Sequence, residues 1–427
     1  YVGDFYQFHS EQIKSKNFVF NNTTYRIEKG HPVIEVDKNL KKYMRIGSDY
    51  FRMIEQGTYD EEGNKVREDE VLVPWSVTEI GRDFGKEMVS KVARYDGFCN
   101  VANHVNYKQV MDNKWNLYAD VKHEINQGEW KNIEGFIKHI FQEQYEMALD
   151  YIQIMYTKPY QKLPVLCLVS KEEGTGKSTF LKLLYMIFQN NMTFVSPDDI
   201  MGQWTSHWVS KLIVACEETF FEKKEALEKI KNFSTADKIM RSERFVNNSL
   251  IDCFVKFVFC SNHEDNFIKL NKGASRFWVV KVGVIPGKSN PDFETLLQDE
   301  VSAFLNFLQN RELSTAKRDR MYFHPDQYKN EAFQNIVNHS EPGIVKNLRI
   351  ALDEYFLKYA PTQLIIDSKH LREHFGVKAD DFYIKEILQE FFKVEKQGVQ
   401  RFKFQIGEGQ NDFIKSIGRV FIFDNPH

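Results

Sequence analysis

Residues 165–179 read VLCLVSKEEGTGKST and set the architecture expected for the chain. The run of five apolar residues is short enough for a strand buried on both faces, which is typical of parallel sheets. The loop that follows contains two glycines, and a helix is predicted from Lys177 to Phe188. Glycines let backbone N–H groups turn inward, and a helix N-terminus favours negative charge. The strand, loop and helix together therefore predict a phosphate-binding P-loop.

The P-loop interpretation gives individual residues a role. Lys177 is expected to reach the β- and γ-phosphates of a nucleotide, and the Ser178 hydroxyl is expected to ligate Mg²⁺. The full pattern has a glycine six residues before the lysine, whereas this chain has Lys171 there, so the tight turn must form by another route, such as one through Ser170. The residues predicted to bind the nucleotide are Glu173, Gly174, Thr175, Gly176, Lys177, Ser178 and Thr179.

Two further apolar runs, 212–216 and 254–260, predict strands of the same sheet, each followed by polar residues. Glu217 and Glu218 come after the first run. Such a pair is usually a solvated loop start, but about 40 residues after a P-loop it fits a Walker B motif, with Glu217 on the metal side and Glu218 as the base. Asn262 follows the second run and is placed to hydrogen-bond the attacking water, although a turn asparagine is the simpler interpretation. Strands that alternate with helices predict an α/β fold with a mainly parallel sheet.

Basic residues provide two more candidates. Lys238, Arg241 and Arg244 surround a predicted hairpin tip, where cations can contact phosphates, although a charge cluster is more often a solvated face. Arg276 comes just before another apolar strand. A lone arginine usually forms a surface ion pair, but in a P-loop protein it is also a candidate arginine finger. We therefore predict a DNA contact at the hairpin and a catalytic role for Arg276.

Composition limits the possible partners and compartment. The 427 residues carry 57 Lys and Arg against 60 Asp and Glu, a net charge of −3. A uniformly basic coat is thereby excluded, and any nucleic-acid site must be a local patch. The five cysteines are odd in number and form no CxxC pair, which argues against a disulfide framework and for a reducing compartment. No run of 18 apolar residues and no signal peptide is visible, so we expect a cytoplasmic protein without membrane contact.

The remaining patterns predict elements that come before and after the sheet in the chain. Residues 50–59 and 66–75 predict a hairpin with its turn at 62–64, and 135–157 predict one long helix. Beyond residue 345, three helical stretches and a two-stranded ribbon outline a winged helix.

Taken together, the motifs resemble those of superfamily 3 helicases, the AAA+ motors of viruses, phages and plasmids. The resemblance rests on the P-loop, the Walker B strand, the basic hairpin, Asn262 and Arg276, which occur in that order and spacing over roughly 43–285. It is most similar to the helicase half of phage primase-helicases, which are relatives of the poxvirus type. The resemblance implies ATP and Mg²⁺ as cofactors, single-stranded and forked DNA as partners, and a ring that is a homo-hexamer. The catalytic residues that it implies are Lys177, Glu218, Asn262 and Arg276.

The same resemblance suggests how the chain is organised. In that family a primase-polymerase domain lies N-terminal to the helicase, which would account for a chain that begins with Tyr1. The divisions we predict are an N-terminal accessory region at 1–134, an AAA+ ATPase core at 135–285, a helical connector at 286–340 and a winged-helix-like domain at 341–427.

Two alternatives stay open on the sequence. One is a DNA-binding initiator or loader that uses ATP only to assemble, without processive unwinding. The other is a different P-loop machine, such as a defence or packaging NTPase. Unwinding with DNA-stimulated ATP hydrolysis favours the helicase, whereas ATP-dependent assembly without turnover favours the loader.

Overall fold

A computed structural model describes the backbone of residues 17–20, 23–28, 31–34, 38–59, 63, 65–104, 106–221, 224–244, 246–271, 273–285, 290–407, 409 and 412–426. The chain divides into two compact units. The first is Tyr1–Ile268 with Ala274–Phe333, and the second is Lys269–Gly273 with Gln334–His427. Within the residues just given, no helix has both the length and the apolar content that crossing a membrane requires.

Short strands dominate the start of the first unit, where they form three small sheets. Their bounds are β1 Asn17–Phe20, β2 Thr23–Glu28, β3 His31–Ile34, β4 Tyr43–Ile46, β5 Asp49–Tyr59, β6 Lys65–Trp75, β7 Ala93–Tyr95, β8 Gly97–Cys99, β9 Val110–Met111 and β10 Lys114–Asn116, with the helix α1 Val77–Phe84 after β6. The predicted hairpin is confirmed, because β5 and β6 pair antiparallel with Tyr50 opposite Trp75. Its predicted turn at 62–64 lies outside the described residues, apart from Gly63.

The prediction of one long helix over 135–157 is wrong, because the chain forms two. These are α2 Lys131–Phe141 and α3 Tyr145–Thr157. Gln142 adopts a left-handed φ of 47°, which ends α2. In the short turn between the helices, the Gln144 side chain accepts a hydrogen bond from Trp278 Nε1 at 3.0 Å. Helical periodicity did not reveal the break, because apolar residues continue on both sides of it and the groups that hold the turn are distant in sequence.

A five-stranded parallel sheet forms the centre of the first unit. Its strands lie in the order Met192–Phe194, Ile213–Cys216, Lys256–Ser261, Val165–Val169 and Phe277–Lys281, so the strand before the P-loop lies between two strands that come much later in the chain. The α/β class and the parallel sheet predicted from the sequence are confirmed. The elements here are β11 Val165–Val169, α4 Lys177–Phe188, β12 Met192–Phe194, α5 Pro197–Met201, β13 Ile213–Cys216, α6 Lys224–Thr235, β14 Lys238–Glu243, β15 Val246–Asp252, β16 Lys256–Ser261 and β17 Phe277–Lys281.

Helices cover the sheet and close its core. The helix α7 Phe293–Asn310 packs with α2, α3 and α4 around apolar side chains of the sheet. Every side chain of β11 and β16 is buried. Burial on both faces explains why β11 reads as a continuous apolar run and not as an alternating one.

The second unit contains the ribbon predicted near the C-terminus, with one strand more than expected. From residue 331 the chain forms α8 Glu331–Ser340, α9 Gly343–Tyr359, β18 Gln363–Asp367, α10 Ser368–His374, α11 Asp381–Ile387, β19 Val399–Gln405 and β20 Phe413–Asp424. The predicted two-stranded ribbon is a three-stranded antiparallel sheet of order β18-β20-β19. β20 has 12 residues, so its first part pairs with β19 and its last five residues pair with β18.

A buried carboxylate fixes α3 to the segment that follows α7. Asp150 has no exposed surface, and its two oxygens accept hydrogen bonds from Arg311 NH1 at 2.7 Å, from Ser314 N at 3.0 Å and from Thr315 N at 2.8 Å. The hydroxyls of Ser314 and Thr315 also donate to it. Burial raises the pKa of Asp150, but these hydrogen bonds lower it by more, so the pKa lies below its usual range. Asp150 therefore stabilises the fold as an ion.

We expect Asp150→Asn to lower the free energy of unfolding at neutral pH by about 3–5 kcal/mol, because it removes the buried ionic partner of Arg311 and leaves that arginine paired with the largely exposed Glu146. The pKa of Asp150 is lower in the folded chain, so its contribution is complete above the unfolded value of about 3.9 and is lost as the pH falls through the folded pKa. Urea unfolding at neutral and acidic pH should show the difference between wild type and variant shrinking in acid.

Glu146→Gln is the matched control. Glu146 binds the same arginine at 3.1 Å, but its side chain is 63% exposed, so we expect a loss below about 1 kcal/mol. Equal losses for the two variants would show that the buried carboxylate is not what holds this junction.

Candidate functional site

The polar residues predicted after separate strands meet at one edge of the sheet. β11, β13 and β16 are parallel neighbours, so their carboxyl ends lie side by side. Val169 at the end of β11 pairs with Ser261 at the end of β16. The loop after β11, the acidic pair after β13 and Asn262 after β16 consequently leave the sheet at the same edge. In open parallel sheets this is the edge at which ligands bind.

The loop between β11 and α4 needs its glycines for two different reasons. Gly174 has φ 66° and Gly176 has φ 92°, a backbone region that favours glycine. A Cβ at Gly174 would meet nothing within 4 Å. At Gly176 it would lie 2.9 Å from Phe136 Cε2, so this glycine also permits close packing against α2.

Lys177 lies over the loop that precedes it. Its Nζ donates to Thr175 Oγ1 at 3.1 Å and to Glu172 O at 3.4 Å. Burial lowers the pKa of Lys177, and nearby negative groups oppose that effect. Ser178 is exposed on the first turn of α4, while Thr179 is partly buried. The ammonium group and the serine hydroxyl thus stand at the start of the helix, where the backbone dipole also favours an anion.

Lys171, at the position where the full P-loop pattern has glycine, is accommodated without strain. It is not among the residues with positive φ, so the position does not need glycine's freedom. Its backbone N–H donates to the buried carboxylate of Glu264 at 3.1 Å, and its Nζ lies 3.9 Å from the same group. Lys281 at the end of β17 also pairs with Glu264, at 3.1 Å. Glu264 therefore fixes the entry of the loop.

Sequence reasoning missed three residues that shape this edge. They are Glu264, Lys281 and His139, whose Nε2 lies 3.1 Å from Thr175 O. His139 sits on α2 and Glu264 on the turn after β16, so each reaches the loop only through tertiary folding. No local motif marks them.

The acidic pair leaves β13 toward the same loop. Glu217 and Glu218 are both exposed, and Glu218 has φ 50°, so the chain turns sharply there. Beyond the turn, Thr219 N donates to Cys260 O at 2.8 Å and Ser261 Oγ donates to Thr219 O at 2.8 Å, which ties the segment to the end of β16. Burial raises the pKa of the Cys260 thiol, with Glu217 adding to the rise and Lys177 opposing it. The Cys260 Sγ also lies 3.8 Å from Lys177 O, so the end of β16 contacts the first residue of α4.

These residues fit a nucleotide with Mg²⁺. A serine hydroxyl and a carboxylate are oxygen ligands of the kind that Mg²⁺ prefers, and this ion usually takes its other ligands from phosphates and water. Among the described residues, no group of three or more His, Cys, Asp or Glu side chains could hold a metal ion. Ser178 and Glu217 would supply two oxygen ligands to a cation that takes its remaining ligands from phosphates and water.

Arg276 lies at the opposite edge of the sheet. It precedes β17, and its carbonyl accepts a hydrogen bond from Val165 N, the first residue of β11, at 2.7 Å. The five residues of β11 therefore place about 16 Å of strand between Arg276 and the P-loop of its own chain. The Arg276 guanidinium donates to Lys231 O on α6 at 3.2 Å. Within one chain, Arg276 and the P-loop are not brought together.

The predicted basic hairpin is formed by β14 and β15, and its cations differ in their surroundings. Arg244 is exposed in the turn between the strands. Lys238, at the base, pairs with Asp252 at 2.7 Å and keeps 60% of its side chain exposed. β15 ends at Asp252 and β16 starts at Lys256, so the hairpin emerges at the edge of the sheet opposite the P-loop.

Arg241 differs from the expectation that it faces DNA, because its side chain is only 9% exposed. Its guanidinium pairs with Glu243 and stacks on Phe98 at 4.7 Å from the ring centroid. The strand alternation explains this placement, since Met240 and Ser242 point to the other face of β14. Arg241 thus attaches the hairpin to the N-terminal sheets, as does Asn247, whose Nδ2 donates to Ser48 Oγ at 2.8 Å.

One family model and several solved structures are similar to this chain. A family described as "Family of unknown function (DUF5906)" matches residues 168–276, which run from the end of β11 to Arg276. No curated protein matches the chain. Among solved structures, the chain is similar to the apo C-terminal region of NrS-1 (305–718), with a TM-score of 0.61 and 15% identity over 86% of this chain and 97% of that one.

Two further structures extend the comparison. The A form of the apo NrS-1 C-terminal region has a TM-score of 0.60 and 15% identity, covering 88% of this chain and 96% of that one. JCV helicase with a bound small molecule has a TM-score of 0.30 and 10% identity over 53% of this chain and 65% of that one, too low to carry an argument. The chain thus shares the fold of the NrS-1 C-terminal region.

We expect Gly176→Ala to destabilise the protein more than Gly174→Ala. Both substitutions place a side chain at positive φ, but only the one at 176 also forces a Cβ against Phe136. Overpacking of that kind costs roughly 1–3 kcal/mol, which should appear as the difference between the two variants in urea unfolding. Equal losses would show that the packing of α2 on the loop does not constrain this glycine.

Proposed function

We propose that this chain is the ATP-driven DNA helicase module of a phage or mobile-element replication protein, with a superfamily 3 AAA+ core. The observation that carries the proposal is the single sheet edge at which the P-loop, the acidic pair and Asn262 come together. The fold shared with the NrS-1 C-terminal region supports the architecture. Strand separation itself is inferred from the resemblance of the motifs.

Each residue at that edge has a proposed task in ATP hydrolysis. The loop from Glu173 to Thr179 would bind the phosphates through backbone N–H groups, and Lys177 would neutralise the β- and γ-phosphates. Glu218 would accept the proton of the attacking water, and Asn262 would orient that water. Ser178 and Glu217 would hold Mg²⁺, which when bound neutralises charge on the phosphate chain.

The β14–β15 hairpin would bind single-stranded DNA inside a ring of subunits. Arg244 and Lys238 would contact phosphates, while Arg241 would keep the hairpin seated on the N-terminal sheets. Three residues separate the end of the hairpin at Asp252 from the start of β16 at Lys256, and Asn262 follows the last residue of β16. A displacement at the nucleotide edge would therefore reach the DNA contact through one buried strand.

The ring would be a homo-hexamer in which Arg276 acts on the neighbour's nucleotide. About 16 Å of strand separates Arg276 from its own P-loop, so a catalytic Arg276 must work in trans. A guanidinium at that point would neutralise charge that develops on the γ-phosphate.

The predicted regions complete the proposal. Residues 1–134 would be the accessory region, 135–285 the ATPase core and 286–340 the connector. Residues 341–427 would be winged-helix-like, supported by the order helix, strand, two helices and two strands from α9 to β20. A primase-polymerase domain would precede the helicase in the full-length protein.

Forked-duplex unwinding with ATP tests the proposed function. We expect the wild-type chain to unwind the fork and Lys177→Ala to lose ATP binding and unwinding together, because the substitution removes the ammonium group that lies over the loop. Lys182→Ala is the control, since this exposed lysine on the same helix pairs with Glu294. ATP hydrolysis without unwinding would refute the helicase, and unchanged nucleotide affinity in Lys177→Ala would refute the P-loop.

Mixed rings test the role of Arg276. Arg276→Ala should retain ATP binding and lose about 10³-fold or more of turnover, and Glu218→Gln should also bind ATP without turnover. When the two inactive variants are co-assembled, some interfaces combine a native Glu218 with a native Arg276, so ATPase activity should partly return. Mass spectrometry must first show that mixed rings form. Verified mixed rings that stay inactive would assign Arg276 to a contact within its own chain.

A further inference from the structure

The C-terminal ribbon presents a basic face to solvent. β19 and β20 pair with Val399 opposite Arg419, Arg401 opposite Ile417, Lys403 opposite Lys415 and Gln405 opposite Phe413, so these eight side chains share one face. Four of them are cations, and all four are exposed. None of the eight is a carboxylate.

The opposite face of the ribbon fixes its orientation. Phe402 and Phe404 are buried and belong to the apolar core of the second unit. Because side chains alternate along a strand, burial of these two aromatic rings holds Arg401 and Lys403 on the solvent side. The basic face is therefore a rigid feature of the fold.

The surroundings of the four cations contrast with those of the charged side chains that form ion pairs in the described structure. Among the described residues, none of Arg401, Lys403, Lys415 and Arg419 pairs with a carboxylate, and Lys403 lies 5.4 Å from the centre of the Phe413 ring. Asp412, which precedes β20, accepts a hydrogen bond from Gly409 N at 2.8 Å within the loop. Lys403 and Lys415 also lie directly opposite each other, an arrangement that destabilises a sheet. Within the described part of the chain, this like-charge pair has no carboxylate partner.

We propose that this face binds the phosphate backbone of duplex DNA. Arg401 and Lys403 are two residues apart on β19, or about 7 Å, Lys415 faces Lys403 on the neighbouring strand about 4.8 Å away, and Arg419 lies about 13 Å from Lys415 along β20. The four charges therefore spread along one face of the ribbon, where they can contact several phosphates. The major groove of B-DNA admits a two-stranded ribbon. Val399 and Ile417, which are 66% and 61% exposed, lie among the cations, where they can contact sugar or thymine methyl groups.

The test variant replaces Arg401, Lys403, Lys415 and Arg419 by Gln in the full chain. We expect its affinity for a 25-base-pair duplex, measured by fluorescence anisotropy without nucleotide, to fall at least about tenfold. The slope of log affinity against log salt should become shallower by about 3–4, since each phosphate contact contributes about 0.9. Omitting ATP separates this result from the proposed helicase activity, which could fail while the ribbon still binds.

The matched control replaces Lys358, Lys369, Lys378 and Lys385, four exposed lysines of the same unit, by Gln. It makes the same change in net charge and should leave the affinity and salt slope near those of the wild type. Equal losses in the two variants would assign the effect to net charge and overturn the proposal. It is equally overturned if the test variant binds duplex as the wild type does, or loses affinity only for single-stranded DNA.

Thermal unfolding distinguishes a role of Lys415 in DNA binding from a role in the stability of the fold. Lys415→Gln removes the repulsion across the ribbon and keeps the contact between Lys403 and Phe413, so its melting temperature should equal or exceed that of the wild type while its duplex affinity falls. A lower melting temperature with unchanged affinity would mean that Lys415 serves the fold and not DNA.

Discussion

The strand β16 pairs in parallel with β13 on one side and with β11 on the other, and all six of its side chains are buried. Parallel pairing brings the carboxyl ends of the three strands to one edge, and there the chain places the glycine-containing loop, two carboxylates and an amide. It also sends the amino ends to the other edge, from which the hairpin and Arg276 emerge. The separation between the proposed nucleotide site and the proposed DNA contact is therefore the length of one strand. A buried strand of this kind deforms little, because interiors are close-packed.

The amino-terminal edge is held by two lysines that the proposed chemistry does not use. Lys256 is buried, and its Nζ donates to Phe254 O at 2.7 Å and to Pro159 O. Lys162 donates to Cys253 O at 2.7 Å. Burial lowers the pKa of Lys256 strongly, and Lys162 lowers it further. These donors satisfy carbonyls where the hairpin meets the sheet, so hydrogen bonds fix the base of the hairpin to the sheet.

The sequence predicted those parts of the molecule that depend on local chemistry. Glycines before Lys177, an apolar run before them and carboxylates after a second run each follow from the needs of a short segment. Tertiary contacts decided the rest. The turn after Gln142 interrupts an otherwise continuous helical pattern, and in that turn Gln144 accepts a hydrogen bond from Trp278. The strand β18 joins the C-terminal sheet because β20 is long enough to pair with two strands. Glu264 compensates for the missing P-loop glycine from 93 residues away along the chain. No pattern within a window of 15 residues contains such information.

The different surroundings of the basic residues show why composition says little about nucleic-acid binding. A net charge of −3 excludes a basic coat, yet each cation acts through its own neighbours. Arg241 and Arg244 lie three residues apart on one hairpin, but strand alternation turns Arg241 onto Phe98 and Glu243, whereas Arg244 is exposed at the turn. On the ribbon, the same alternation puts Lys403 and Lys415 on one face without a carboxylate beside them. The alternation of side chains along a strand therefore decides which cations a polyanion can reach. Lys403 and Lys415 mark a surface where a negatively charged partner would offset the repulsion between them.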